Sequence, residues 1–289
     1  MSATTLLVGP GWLGAPTAAH LASSGMTVWT LRRGADAPPA GCIGLVGTPD
    51  EIATDASLRA QLPARVDHVV ATVAPSRGRG DDHGIYPQVA EGIRRVAEAL
   101  SVRSVLWVSS TGVYDRQDGS EVDETTPLTP HDGRVAALVE AEQIIASIGE
   151  HGRTAARIVR PAGLYGPGRD PGPRFAQGDP LDSRWCNFSW RDDVRDAIAH
   201  LIGQPTHDAV SIFNCTDGHP VQAGAITRAL QAASAAVTPP ATSGGARREA
   251  RSNQRIRTEA LRATGWRPQV ATVFDGLQRL GHAVQVPSA

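Results

Sequence analysis

Lysine is absent. All 28 cationic side chains of this 289-residue chain are arginine. No Schiff-base lysine, no phosphate-loop lysine and no lysine that lowers a tyrosine's pKa can act here. The chain is rich in Ala, Gly and Pro, and codon bias accounts for arginine in place of lysine, but the chemical exclusion holds whatever the cause. Net charge is scarce as well. With 28 Arg against 29 Asp+Glu the balance is -1, which argues against a nucleic-acid or membrane-surface partner, since both usually leave a basic excess. Cysteine is sparse: Cys42, Cys186 and Cys215 are too scattered for a disulfide framework or a zinc site. No His, Cys and carboxylate cluster has metal-ligand spacing, so no metal is expected. No run approaches the ~18 apolar residues of a membrane span. The start, MSATTLLVGPGWLG, has no basic opening, long apolar core or cleavage site. The expectation is a soluble, cytoplasmic protein with a small-molecule substrate.

What is present is alternation. At about 150 residues per domain, the length suits one large domain or two coupled ones. Short apolar runs at Thr4 to Val8, Thr27 to Leu31, Ile43 to Val46, Val66 to Val73, Ser104 to Val108 and Ala155 to Val159 read as strands. Helical spacing appears at Trp12 to Ser24, Ile85 to Leu100 and Val135 to Ile148. Continuous apolar strands alternating with helices predict a parallel sheet covered on both faces, a doubly wound α/β fold of Rossmann type. After about Arg160 the texture changes. Residues 161–190 carry five prolines and five glycines, too many breakers for regular elements. Helices at Val194 to Ile202 and Val221 to Ala233, a strand at Val210 to Asn214, a Pro/Gly/Ser-rich loop at 238–246 and a last helix at Val273 to Ala283 follow. The expected division is a nucleotide-binding domain over 1–165 and a smaller substrate-binding lobe over 166–289, interwoven with the first.

Gly9-Pro10-Gly11-Trp12-Leu13-Gly14 fits G-x-G-x-x-G in the setting that gives it meaning, after a strand and before a helix. Gly9 permits the turn, Gly11 lets a pyrophosphate approach the backbone, and Gly14 lets helix and strand pack closely. Backbone N–H groups of Trp12, Leu13 and Gly14 and the helix dipole then hold the phosphate charge. An NAD-selective site wants an acid at the end of the second strand. This chain has Thr30, Leu31, Arg32 and Arg33, with no acid before Asp36. Two guanidiniums suit a 2′-phosphate, so NADP is expected over NAD, with NAD left open. Ala71 and Val73, at the end of the fourth strand, join the expected cofactor set.

The fifth-strand residues add a family. Val108-Ser109-Ser110-Thr111-Gly112-Val113-Tyr114 resembles the S-S-x-x-V-Y-G stretch of extended short-chain dehydrogenases/reductases, the NAD(P)-dependent epimerase/dehydratase group. Asp123-Glu124 with Pro127 and Pro130 resembles that group's D-E-x-x-P-x-x-P loop. Arg160-Pro161 through Tyr165-Gly166-Pro167-Gly168 resembles its R-P-x-x-x-Y-G-P-G segment. Phe213-Asn214 with Asp217, and Leu261-Gly265-Trp266-Pro268, resemble its late motifs. The resemblance implies Ser109, Pro161 and Tyr165 in the cofactor set, with the nicotinamide held by the Tyr165 segment. It implies Ser110 as a hydrogen-bond donor to a substrate oxygen, with Thr111 beside it, and leaves a homodimer open.

Asp115 stands where the pattern has the glycine after V-Y, and two further positions depart at the catalytic pair. Lining up Ala141-Glu142 with the family's A-E puts Arg134 where its catalytic tyrosine stands and Leu138 where its lysine stands. Arginine is always protonated and is a poor proton shuttle. Tyr114 then becomes a candidate proton donor if a cation assists it, or a packing residue. Ser76 to Gly84, with alternating Arg and Gly, reads either as a lid over an anionic substrate or as a solvated loop. His131 is a candidate to reach the site, and Asp192 and Asp193 read as a helix N-cap. The expected function is an NADP-dependent oxidoreductase acting at a carbonyl or hydroxyl carbon of a small molecule. The alternative is a non-catalytic NADP(H) sensor or partner protein.

Overall fold

The computed structural model describes residues 2–74, 83–130, 133–151, 154–178, 180–205, 208–233 and 252–286. The Ser76 to Asp82 part of the arginine–glycine loop, His131 and the 238–246 loop lie outside the described residues. In chain order the strands are β1 Thr4–Val8, β2 Thr27–Arg32, β3 Ile43–Val46, β4 Arg65–Ala71, β5 Ser101–Val108, β6 Glu121–Val122, β7 Ala155–Pro161, β8 Gly163–Tyr165, β9 Trp185–Cys186, β10 Phe188–Trp190, β11 Val210–Cys215, β12 Val221–Gln222 and β13 Arg255–Ile256. The helices are α1 Gly14–Ser23, α2 Pro49–Thr54, α3 Ala56–Arg59, α4 Ile85–Ala99, α5 Gly133–His151, α6 Gly172–Ala176, α7 Arg191–Gly203, α8 Ala223–Ala233, α9 Glu259–Ala263 and α10 Val273–Arg279.

Seven strands form one sheet in the order β11-β7-β5-β4-β1-β2-β3. The pairs β3–β2, β2–β1, β1–β4, β4–β5 and β5–β7 are parallel. This is the doubly wound α/β sheet expected from the apolar runs. Leu6, Leu7, Val69, Val70, Val105 and Leu106 are fully buried, as strands covered on both faces must be. The order reverses between β1 and β4, where ligands of such sheets bind, outside the strands' carboxyl ends. The chain forms two compact units, 1–113 with 128–160 and 195–213, and 114–127 with 161–194 and 214–289.

Within the first unit α4 packs against α2 and α5. Arg157 is buried in β7, and its guanidinium donates to the carbonyls of Leu201, Gln204 and Pro205 at the end of α7, where a cation also complements the helix dipole. His68, on β4, is buried and shares a 2.8 Å hydrogen bond with Ser104 on β5. Burial pushes its pKa down to about 4, against a smaller opposing pull from Asp67. The unfolded imidazole titrates near 6.5, so as pH falls the unfolded chain takes up this proton first. Stability is therefore complete above pH ~6.5 and falls by about 3 kcal/mol as pH approaches 4. Urea unfolding at pH 7 and 4.5 should show this acid loss in the wild type and much less of it in His68→Gln. Equal losses would remove the imidazole as the cause.

The second unit has its own core of Tyr165, Phe175, Phe188, Trp190, Leu230 and Phe274. The structure departs from the sequence expectation in three places. Residues 161–190 do form elements, but short ones that fit between the breakers: β8 pairs parallel with β10, and β9 pairs with β12. Helix α7 starts at Arg191, not Val194, so Asp192 and Asp193 lie in its first turn rather than capping it. Asp193 instead accepts the N–H groups of Gln269 and Val270 at 2.8 and 3.1 Å. Helices α2 and α3 were not anticipated. The signal for α2 was Thr48-Pro49-Asp50-Glu51, which forms a complete capping box, and that for α3 was Asp55, whose carboxylate accepts the Ser57 and Leu58 N–H groups.

Candidate functional site

The glycine turn lies at the switch point. Gly9 has φ +81°, the left-handed region that favours glycine. Its carbonyl accepts the Thr72 hydroxyl at 2.7 Å, which ties the end of β1 to the end of β4. A Cβ on Gly9 would stand 3.2 Å from Val73 Cγ2, and Ala71 is the strand partner of Val8, one residue before the turn. A Cβ on Gly14 would stand 2.3 Å from Thr72 Oγ1 and 2.4 Å from the Gly9 carbonyl oxygen. Only glycine fits there. A Cβ on Gly11 would meet only the Gly9 oxygen, at 4.0 Å, so the backbone there faces open space. No side chain caps α1, and its first turn has no acid. The positive end of its dipole is left for an anion.

At the end of β2, Arg32 donates to the Ala37 carbonyl at 3.2 Å and lies 3.5 Å from Asp36. Arg33 is exposed and lines a cavity of about 420 Å³ with Gly47, Thr48, Glu51, Asp55 and Gln61. Of the two arginines it is Arg33 that opens into space able to take a ligand, although Glu51 and Asp55 share that space.

The third cluster follows β5. Ser109 donates its N–H to the Val159 carbonyl at 2.7 Å, is 9% exposed, and has a buried hydroxyl oxygen with no partner. Buried hydroxyls are almost always bonded, so this one is a mark of a ligand or water site. Ser110 is half-buried, and its hydroxyl oxygen accepts the Gly112 N–H at 3.1 Å. An oxygen that accepts keeps its own proton to donate. Thr111 is buried and opens a single turn of 3₁₀ helix through Val113. Arg134, in the first turn of α5, arches over this loop: a Cβ on Gly112 would stand 2.9 Å from its Nη1 and 3.2 Å from Ser110 Oγ. Leu138, one turn on, is buried. Sequence reading placed Arg134 but missed its approach to Ser110, which only the return of α5 along β5 brings about.

Tyr114, Pro161 and Tyr165 belong to the second unit. Tyr114 is buried, and its hydroxyl donates to Asn214 Oδ1 at 2.8 Å. Asn214 in turn receives Thr258 at its carbonyl and donates its side-chain amide to the Arg257 carbonyl. This is the environment of a packing residue. Asp115, where the family has glycine, keeps the glycine conformation at φ +45°. The Tyr165 ring lies edge-on to Phe188 and Trp190, and burial raises its hydroxyl pKa above the usual tyrosine range. Asp217, also buried, has its carboxyl pushed up to about 7 by burial.

Residues 6–178 match the model of the NAD dependent epimerase/dehydratase family, more than half of the chain. The chain belongs to that family. Among curated proteins it is 31% identical to Protein YeeZ of Escherichia coli K12 over 224 residues, covering 75% of this chain and 78% of that one. Among solved structures, a Methylobacillus flagellatus protein described as an NAD-dependent epimerase/dehydratase shares 29% identity over 97% of this chain and 98% of its own, with TM-score 0.74. The UDP-glucose 4-epimerase of Thermus thermophilus, solved as a complex with NAD, superposes with TM-score 0.76 over 95% and 96% at 19% identity, a likeness of fold.

The residues of the first unit fit a nicotinamide dinucleotide. Gly14 leaves no room for a side chain, the backbone at Gly11 is open, the start of α1 is uncapped, and the Ser109 hydroxyl waits for a partner. Among the described residues no group of His, Cys, Asp and Glu could hold a metal ion, and no helix is long and apolar enough to cross a membrane.

Proposed function

We propose that this epimerase/dehydratase-family protein is an NADP-dependent oxidoreductase acting at a carbonyl or hydroxyl carbon of a small molecule. The observation that carries the reading is that one sheet edge holds both a glycine cradle after β1 and a serine hydroxyl free to donate after β5. Gly9, Gly11, Trp12, Leu13 and Gly14 seat the pyrophosphate, Ala71 and Val73 border it, and Ser109 completes it. A bound nicotinamide supplies or removes hydride at the substrate carbon. Ser110 donates a hydrogen bond to the substrate oxygen and orients the carbon, with Thr111 shaping the loop. The family's tyrosine and lysine positions fall on Arg134 and Leu138, so the proton reaches or leaves that oxygen through water. Tyr114 is a packing residue in this assignment, and the Tyr165 ring is committed to the core of the second unit.

Cofactor choice rests on Arg33. It is exposed beside a cavity, no acid ends β2, and its guanidinium matches a 2′-phosphate. Titration of the full chain with NADPH and NADH tests this. NADPH should bind more tightly, and Arg33→Ala should weaken NADPH about tenfold or more, as loss of a charge-assisted bond does, while NADH is unchanged. Equal affinities in the wild type would overturn NADP selectivity, and binding of neither would overturn the cofactor. A donor hydroxyl at Ser110 favours catalysis over a dinucleotide sensor. Turnover of a carbonyl substrate that survives fully in Ser110→Ala would remove that assignment.

A further inference from the structure

Arg134 does not favour the helix it starts. It lies in the first turn of α5, where a cation opposes the helix dipole. Among the described residues no carboxylate or carbonyl pairs with it. Its neighbour on the helix, Leu138, is buried and carries no charge. Yet its guanidinium is held against the loop after β5, next to the Ser110 hydroxyl, with Gly112 leaving the space between them clear. A permanent +1 charge, paired with no carboxylate among the described residues and set beside a hydroxyl that donates, is a two-point receptor.

We infer that Arg134 selects the substrate: the site takes a small 2-oxo acid or 2-hydroxy acid, Arg134 gripping the carboxylate while Ser110 donates to the neighbouring oxygen. This deepens the reading of Ser110 given above and rests on it. The guanidinium fork matches a carboxylate through two parallel N–H···O bonds. Its single charge neutralises a carboxylate, whereas it would leave a phosphate dianion half-compensated. A carboxylate attached to the carbonyl carbon also puts the two acceptors within reach of both groups at once. Arginine at this position is thus an anchor rather than a failed proton shuttle, and the chain's lack of lysine leaves it no competing cation of another kind.

The probe is oxamate, a stable mimic of a 2-oxo acid, titrated calorimetrically into the full chain with and without saturating NADPH. Oxamate should bind the wild type. Arg134→Gln should weaken it by about ten- to a hundredfold, the range for a hydrogen-bonded charge pair. Arg134→Lys should restore part of the loss, and Ser110→Ala should weaken it less than Arg134→Gln. NADPH affinity should stay the same in all three variants. The inference is overturned if oxamate binds Arg134→Gln as tightly as the wild type, if oxamate fails to bind under either condition, or if inorganic phosphate competes with equal affinity. Failure of NADPH to bind while oxamate binding still depends on Arg134 would overturn the cofactor reading and leave the anion site standing. Arg134 is only half-buried, so its variants should fold, which urea unfolding checks directly.

Discussion

Glu142→Ala is expected to destabilise the first unit by about 3–5 kcal/mol, the usual result of stripping one partner from a buried ion pair. Glu142 on α5 and Arg160 on β7 are 5% and 2% exposed at their side chains. Arg160 donates from Nε to one carboxylate oxygen at 3.0 Å and from Nη2 to the other at 2.6 Å. Removal of the carboxylate leaves a guanidinium that cannot lose its proton, buried where water cannot reach it. The pair is not thereby a large net stabiliser, because desolvating two charges offsets much of their attraction. The double replacement Glu142→Leu with Arg160→Met should accordingly recover most of the loss. Urea unfolding of the two single variants and the double closes the cycle. A loss below 1 kcal/mol for Glu142→Ala would mean that water or a rearranged partner satisfies Arg160. The pair also fixes α5 to the sheet, and α5 carries Arg134 two turns before Glu142. Loosening it should therefore weaken oxamate binding without a direct contact being touched.

Much of the first unit was legible because its signals are local or periodic. A strand covered on both faces has to be a continuous apolar run, and β1, β4 and β5 are such runs. The glycine loop is readable because each glycine answers a separate steric demand within six residues. What escaped was set by contacts distant in sequence. Asp193 looks like an N-cap until Gln269 and Val270, some 76 and 77 positions on, present their N–H groups to it. Tyr165 sits in a family motif, yet its ring is taken by Phe188, Trp190 and the side-chain-free face of Gly276, where a Cβ would stand 2.0 Å from its hydroxyl. Tyr114 was a candidate acid until Asn214, 100 residues later, claimed its hydroxyl. The short strands of 163–190 need so few residues that no periodicity can announce them. Arg134 was visible as a departure from a pattern, but its use depends on where α5 returns, which no local signal carries.

Gly14→Ala and Gly11→Ala should separate folding from binding at the glycine loop. At Gly14 the new methyl would overlap Thr72 Oγ1 at 2.3 Å and the Gly9 carbonyl oxygen at 2.4 Å. Thr72 can rotate away only by giving up its 2.7 Å bond to that same oxygen. The carbonyl is backbone, already committed to a turn with φ +81° at Gly9, so the loop itself must shift. Overpacking of this kind costs about 1–3 kcal/mol, and it moves the N–H groups meant for a pyrophosphate. Both the urea midpoint and NADPH affinity should therefore fall. At Gly11 a methyl meets nothing closer than the Gly9 oxygen at 4.0 Å, so the midpoint should hardly move. The methyl would instead occupy the space over the backbone that the pyrophosphate needs, and NADPH affinity should drop about tenfold or more, equivalent to at least 1.4 kcal/mol. If Gly11→Ala proved as unstable as Gly14→Ala, the open space at Gly11 would not exist in solution. If it kept full NADPH affinity, the dinucleotide would have to be seated elsewhere, and the cradle after β1 would be a packing turn.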